Sequence, residues 1–345
     1  FQRLYEAQPR WIAHDAHPGY LSTQFATAFA AGKAGARAIS VQHHVAHVLA
    51  CAAENQLAPP LLGVAWDGTG HGLDGTVWGG EFFVLTQTAC RRLAHFRQFR
   101  LPGGERAIKE PRRAALGMLY ELFGENVLTD GGLLPMPSFA APNPGSSPED
   151  LSAEHTSRRV GMSRSVPSPA ALIAMLKRGV NSPLTSSAGR LFDAVAALLG
   201  LRQIVRFEGQ AAMELEFAIA GLNTAEVYPF AILGQDNTAG ESMLVADWGP
   251  MLKDILADSK RQLPVALISA KFHNTLAEII VAVAQRAGLP QVALSGGCFQ
   301  NRYLTERTAA RLAQAGYRPY WHQRVPPNDG GIALGQIVAT LMGLE

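Results

Sequence analysis

Apolar and polar positions alternate along this chain in short blocks, each closed by glycine or proline, and the blocks read in turn as strands and helices. The stretch from Ile12 to Gly35 predicts a short strand, a turn (DAHPGY) and an alanine-rich helix from about Ser22. Ala38–Val41 predicts a second strand, followed by a helix to about Glu54 and a boundary at the AsnGln and ProPro pairs of residues 55–60. Leu61–Trp66 is a continuous apolar run of strand length, as in a strand buried on both faces. It enters a glycine-dense turn, DGTGHGLDG, before a second strand, TVWGGEFFVL, which together predict a hairpin with a long tip.

Helices are expected at Lys109–Phe123, with Pro111 near its start, at Ala170–Arg178, Gly189–Leu199 and Gln210–Ala220. A hairpin over Tyr228–Leu233 and Glu241–Ala246 precedes helices at Trp248–Ser259 and Ala270–Ala287. The chain finishes with a strand (Gln291–Leu294), SerGlyGly, a helix (Asn301–Ala315), a strand (Tyr317–Trp321), a PPNDGG loop and a helix to about Met342. Residues 131–166 are proline-rich and read as a surface segment. Strand, glycine turn and helix in repetition predict an open mixed α/β sheet with ligands at the strand ends.

Composition narrows the class. The 345 residues are 48% hydrophobic and 17% charged, enough for a sizeable core, and the formal net charge of +2 gives no reason to expect nucleic acid. No apolar run is expected to span a membrane, and FQRLYEAQPR is no signal peptide. Cys51, Cys90 and Cys298 lie far apart, which fits a reducing cytoplasm and neither a zinc ribbon nor a disulfide framework. The chain opens on Phe1, so a segment upstream is expected.

The candidate chemistry starts at VQHHVAHV. His43 and His47 are four apart, hence on one helix face, where two neutral imidazoles can hold a divalent metal. The ordinary alternative is a plain helix face; a zinc-protease helix would need Glu after the first His, and His44 stands there. Asp67, at the end of the buried run, and Asp329, before the last helix, would complete a His/Asp set without thiolate, suited to zinc, ferrous iron or manganese. Either acid could instead cap a turn or helix. The glycines of Asp67-Gly-Thr-Gly70 and Ser295-Gly-Gly297 let backbone amides approach an anion, and Thr69 adds a hydroxyl. Asp193, at the start of an apolar helix, and Glu214, in FEGQAAMELE with its tight Gly209, could accept from ribose hydroxyls; Glu214 could equally be solvated.

These stretches, in order, form a specific set: DAHPGYLST, VQHHVAH, WDGTGHGLDGTVWGGE, AIKEPRRAALG, NSPLTSSAGRLFDAVAALLG, FEGQAAMELE, LSGGCFQN and PPNDGGIALGQ. Together they closely resemble the C-terminal module of HypF, the carbamoyltransferase family of nickel–iron hydrogenase maturation, from about Trp11 to the end. The resemblance implies an actin-like, sugar-kinase-like two-lobed fold, related to the tRNA threonylcarbamoyladenosine enzymes. It divides the chain into a partial first lobe, 1–58, and a nucleotide-binding second lobe, 59–345, with room for the last helix to pack on the first lobe. The first lobe is expected to be incomplete, because the family module begins with a hairpin that this chain starts after.

The resemblance further implies that His43, His47, Asp67 and Asp329 hold one divalent metal, magnesium being a fourth option. Gly68, Thr69 and Gly70 would face phosphate, and Asp193, Gly209, Glu214, Gly296, Gly297 and Asn301 would hold the nucleoside portion of ATP or carbamoyl-adenylate and its neighbours. The implied reaction uses carbamoyl phosphate and ATP and passes the carbamoyl group to the C-terminal cysteine of HypE in the cytoplasm. No covalent nucleophile is expected in this chain; Cys298 reads as a small buried hydrophobe. Arg112 stands where family members commonly carry Trp. The rivals are threonylcarbamoyl transfer to tRNA, O-carbamoylation of a small molecule, and a non-catalytic nucleotide-binding protein of the same fold.

Overall fold

The fold comes from a computed structural model, described over residues 8–128, 168–236 and 242–344; the proline-rich stretch at 131–166 lies outside these. In chain order the elements are β1 (Trp11–Asp15), α1 (Leu21–Ala31), β2 (Arg37–Val41), α2 (His43–Glu54), β3 (Leu61–His71), β4 (Val77–Leu85), β5 (Cys90–Phe96), β6 (Phe99–Arg100), α3 (Arg106–Lys109) and α4 (Pro111–Phe123). There follow α5 (Pro169–Arg178), β7 (Leu184–Thr185), α6 (Ala188–Leu198), α7 (Gln210–Phe217), β8 (Ala231–Asp236), β9 (Ser242–Asp247), α8 (Gly249–Lys260) and α9 (Val265–Ala287). Last come β10 (Gln291–Ser295), α10 (Arg302–Gln314), β11 (Arg318–Trp321) and α11 (Ile332–Met342).

The chain forms two units: Phe1–Phe96, Ile232–Ala246 and Ala277–Glu345 make the first, and Arg97–Ala231 with Asp247–Leu276 the second. The first unit is built on a mixed sheet of order β11-β10-β3-β4-β5-β9-β8 and a separate parallel pair, β1-β2. β10 runs parallel to both β3 and β11, so their carboxyl ends share one edge, the edge where α/β sheets bind ligands. Helix α2 packs over this sheet. Its Val48 lies against Gly63 of β3, where a Cβ would overlap the valine methyls. On its other side α11 comes so close that a Cβ on Gly335 would run into the Ala46 carbonyl. The core between them joins Val48, Leu49, Leu61, Ala65, Trp78, Phe83, Ala293 and Ala339. In the second unit α4 and α6 pack together, with Gly117 of α4 against the Arg100 backbone, and Phe192 of α6 meets Phe272 edge-on at 5.1 Å.

The expected α/β architecture is the one found, with two departures. The glycine-dense stretch after Trp66 is no loop: β3 continues to His71, with a register shift between Trp66 and Gly70, and only residues 72–76 turn. Pairing of Gly70 with Trp78 and His71 with Val77 supplies the hydrogen bonds that glycine content argued against. β5, which sequence patterning missed, is a central strand that carries an exposed Arg91 and a half-buried Arg92. The buried Glu81 carboxylate accepts from Arg92 Nε at 2.6 Å, and the guanidinium sits 3.8 Å above the Trp78 ring. Contrary to expectation, α9 is long and apolar enough to cross a membrane by length and composition, though 67% of the qualifying window is buried inside the protein, as in a core helix.

Candidate metal centre

β2 ends at Val41 and Gln42 starts the helix, its side-chain oxygen accepting from the Val45 N–H at 3.0 Å and its amide donating to the His71 carbonyl at 3.0 Å. The helix therefore begins on His43, with His47 one turn behind it; their rings stand edge to face, 4.9 Å apart. Gly70 lies against the rings of His43 and the adjacent His44, and a Cβ there would come within 2.9 Å of His43 Cδ2 and closer still to His44. The irregularity in β3 places Asp67 opposite the imidazoles, as bulges do when they re-aim a side chain. Asp67 Oδ1 accepts from the Gly297 N–H at 3.2 Å, which leaves Oδ2 toward the histidines.

Oδ2 of Asp67 lies 3.3 Å from His43 Nε2 and 3.6 Å from His47 Nε2; Asp329 Oδ1 lies 3.5 Å from each. All four atoms fall within 4.8 Å of one another. Donors at about 2.1 Å from one tetrahedral ion stand about 3.4 Å apart, close to these imidazole–carboxylate separations. The same distances are long for hydrogen bonds, and His47 Nε2 is buried without a hydrogen-bond partner. Two imidazoles and two carboxylates so arranged fit a divalent cation.

A fifth residue completes the site. Asp15, at the end of β1, accepts from His43 Nδ1 at 2.7 Å through Oδ2 and from the His17 N–H at 2.7 Å through Oδ1. A carboxylate on Nδ1 fixes the ring and leaves Nε2 for the centre. The sequence pattern alone gives Asp15 of DAHPGY no role; the available signal is an acid closing a strand that pairs with the one leading into the histidine helix.

Electrostatics follow from burial set against these contacts. Burial alone would lower His43, but the hydrogen bond to Asp15 and the nearby carboxylates of Asp329 and Asp67 outweigh it and lift the imidazole to about 12. His47 is raised by the same balance, burial against Asp329 and Asp67. Burial would raise Asp67, yet both histidines hold it well below the usual carboxylate range, and they hold Asp329 far down too. His44, wholly buried beside His43, is pushed well below the usual imidazole value and stays neutral.

The remaining predicted residues divide between the units. Gly68, Thr69 and Gly70 lie on the last stretch of β3; Gly296 and Gly297 follow β10, its parallel neighbour. Gly296 takes φ +99° and sits against the Trp66 backbone; a Cβ there would lie 2.7 Å from the Trp66 carbonyl carbon, so only glycine fits. Its amide donates to the Pro327 carbonyl at 2.9 Å and that of Gly297 to Asp67, so both amides expected to face an anion have partners within the chain. A short 3-10 turn, Gly297–Gln300, separates them from the predicted helix, α10, which Asn301 caps through the Leu304 N–H at 2.8 Å. Asp193, Gly209 and Glu214 lie in the second unit. Burial raises Asp193 to about 6 against the pull of Arg190, 3.0 Å away. Gly209 starts α7 at φ +78°, and Glu214 accepts from Arg202 Nε at 2.9 Å, so it is ion-paired. Cys298 is half-buried, contrary to expectation. Arg112 is buried and donates to Glu110 at 3.0 Å.

Comparison with known proteins identifies the family. Residues 63–336 match the family model described as "Carbamoyltransferase, Kae1-like Domain, second subdomain", and residues 1–54 match "HypF Kae1-like domain". The carbamoyltransferase HypF of Synechocystis is 40% identical over 347 residues, covering 99% of this chain and 42% of that protein. A HypF homolog of Cupriavidus necator is 36% identical, covering 95% of this chain and 77% of its own length. Among solved structures, full-length HypF in its phosphate- and nucleotide-bound form superposes with a TM-score of 0.79 at 36% identity, over 100% of this chain and 48% of that one. The chain thus spans less than half the length of the first of these relatives. It belongs to the HypF carbamoyltransferase family, whose Kae1-like domain it matches.

Proposed function

We propose that this chain is the carbamoyl-transfer module of a HypF protein. It takes the carbamoyl group of carbamoyl-adenylate, made from carbamoyl phosphate and ATP, to the C-terminal cysteine of HypE for cyanide-ligand synthesis in nickel–iron hydrogenase maturation. The observation that carries the reading is the convergence of His43, His47, Asp67 and Asp329 at the edge where two parallel strands end in glycine-rich segments. The nucleotide-bound state of the solved HypF supports a nucleotide ligand, for which Gly68, Thr69, Gly70, Gly296, Gly297 and Asn301 are the candidate residues of the first unit; for Asp193, Gly209 and Glu214, in the second unit, a nucleotide role rests on the family resemblance. The two family-model matches, which leave residues 55–62 between them, support a lobe boundary near residue 58. Three free cysteines fit a cytoplasmic location.

A zinc, iron, manganese or magnesium ion held by the four side chains would supply a Lewis acid for a carbonyl or phosphate oxygen. The chain's own part is positioning. Asp15 fixes the His43 ring, and Gly297 fixes Asp67. In the transfer itself the HypE thiolate attacks the carbamoyl carbon, a C–S bond forms, the C–O bond to phosphate breaks, and its electron pair leaves on AMP. Nothing in this step requires a nucleophile from the chain. The test is to incubate the chain with HypE and preformed carbamoyl-adenylate, then, separately, with carbamoyl phosphate and ATP, and to weigh HypE. A mass gain of one carbamoyl group with the adenylate is expected. An unmodified HypE under both conditions would contradict the reading.

A further inference from the structure

Glu54 closes the helix that His43 opens, and its side chain is only 3% exposed. Its Oε1 accepts from three consecutive backbone N–H groups: Gln323 at 3.0 Å, Arg324 at 2.5 Å and Val325 at 3.3 Å. Its Oε2 lies 2.8 Å from His322 Nδ1, and His322 Nε2 lies 2.9 Å from Ser295 Oγ. An ionised carboxylate can only accept, so Nδ1 carries the hydrogen and, in the neutral ring, the Ser295 hydroxyl donates to Nε2. The connectivity is that of a serine–histidine–acid triad. Ser295 is completely buried, however, and no substrate reaches its oxygen without the sheet opening. Chemistry at Ser295 is therefore the weaker reading, and fastening is the stronger.

What the network fastens is the approach to Asp329. The segment 322–325, pinned to the end of α2 by four hydrogen bonds, runs through Pro326 and Pro327, whose locked φ angles leave little slack. The Pro327 carbonyl is tied in turn to the Gly296 N–H at 2.9 Å. Two residues later comes Asp329, exposed, with its carboxylate turned toward the two imidazoles. His43 and His47 are carried by the same helix that ends in Glu54. One rigid element thus holds two ligands at its start and, through its last residue, the loop that delivers a third.

We propose that Glu54 is a positioning residue that, with His322, sets Asp329 at the distance from His43 and His47 that a shared cation needs. This rests on the metal-centre reading. The experiment measures Co2+ affinity and the visible ligand-field spectrum of the full chain, with circular dichroism as the fold control, for wild type, Glu54→Ala, Glu54→Gln, Asp329→Ala and the Glu54→Ala/Asp329→Ala pair. Partners of metal ligands are commonly worth about 10–100-fold in affinity, and that loss is expected for Glu54→Ala. Because Glu54 acts through Asp329, the same change should cost little more once Asp329 is gone. Glu54→Gln keeps a carbonyl oxygen for the three N–H groups and should recover most of the affinity and the wild-type spectrum. Wild-type affinity in Glu54→Ala, or a loss as large in the Asp329→Ala background as alone, would overturn the inference. A wild-type chain that binds no Co2+ would instead strike at the metal reading beneath it, and the two failures are told apart by the wild-type titration.

Discussion

Replacing Asp15 with alanine is the sharpest probe of how the histidine helix is prepared. The residue is 5% exposed, and its carboxylate makes two contacts of 2.7 Å, one to His43 Nδ1 and one to the His17 N–H. Its removal leaves a buried imidazole nitrogen without a partner and a ring free to rotate. Net contributions of hydrogen bonds to charged groups are about 1.5–3 kcal/mol, and the folded chain should lose stability of that order in urea titrations. Both a proton and a metal on Nε2 benefit from the Asp15 charge, so their competition changes little, and the loss of ring orientation dominates. Metal affinity should fall by about 10–100-fold, or about 1.4–2.7 kcal/mol. Asp15 is the leading contact among those that lift His43 to about 12. Without it less of the imidazole is protonated at neutral pH, and each metal ion bound should release fewer protons than in wild type. Calorimetric titration in two buffers of different ionisation enthalpy reads both quantities. Asp15→Asn, which keeps an oxygen acceptor without the charge, should fall between. Wild-type affinity and proton count in Asp15→Ala would refute the reasoning.

His43→Ala or His47→Ala should abolish stoichiometric metal binding with the circular dichroism spectrum retained; unchanged metal content in both would count against the ligand set. Apparent metal affinity should rise by at least about tenfold per pH unit from pH 6 to 8, since binding displaces the proton that His43 holds up to about 12. The metal-free chain behaves oppositely. The raised histidines stabilise it fully below their unfolded value of about 6.5 and lose that effect as pH rises through their folded values, while the depressed Asp67 and Asp329 stabilise it above about 3.8 and lose it on acidification. Thermal melts across pH should therefore place the site's own contribution highest between about pH 4 and 6.5. Gly335→Ala drives a methyl into the Ala46 carbonyl and should cost about 1–3 kcal/mol by forcing α11 from α2, measured by denaturant midpoint; a neutral result would show that the helices part easily.

How much of this was legible in sequence depends on how far each contact reaches. The His43–His47 face needs only the helix period, and the buried run of β3 announces itself by composition, so both were readable. Asp67 and Asp329 could be grouped with the histidines by type, but their approach to within 3.6 Å comes from the parallel pairing of β3 with β10 and from a loop near the far end of the chain, about which local pattern says nothing. Asp15 and Glu54 were missed for the same reason: one contacts His43 across 28 residues, the other His322 across 268. The glycines misled in the other direction. Gly70 and Gly296 resemble turn residues, yet the first makes room for imidazole rings and the second for the Trp66 backbone. Arg92 disguised a central strand because its partner, Glu81, is buried on the neighbouring strand.

The most direct test of the central claim is an anomalous difference map, recorded at the metal absorption edge, from crystals of this chain grown with zinc. The account predicts one strong peak at about 2.0–2.2 Å from His43 Nε2, His47 Nε2 and a carboxylate oxygen each of Asp67 and Asp329. A map with no peak there, or with zinc bound only elsewhere, would contradict it.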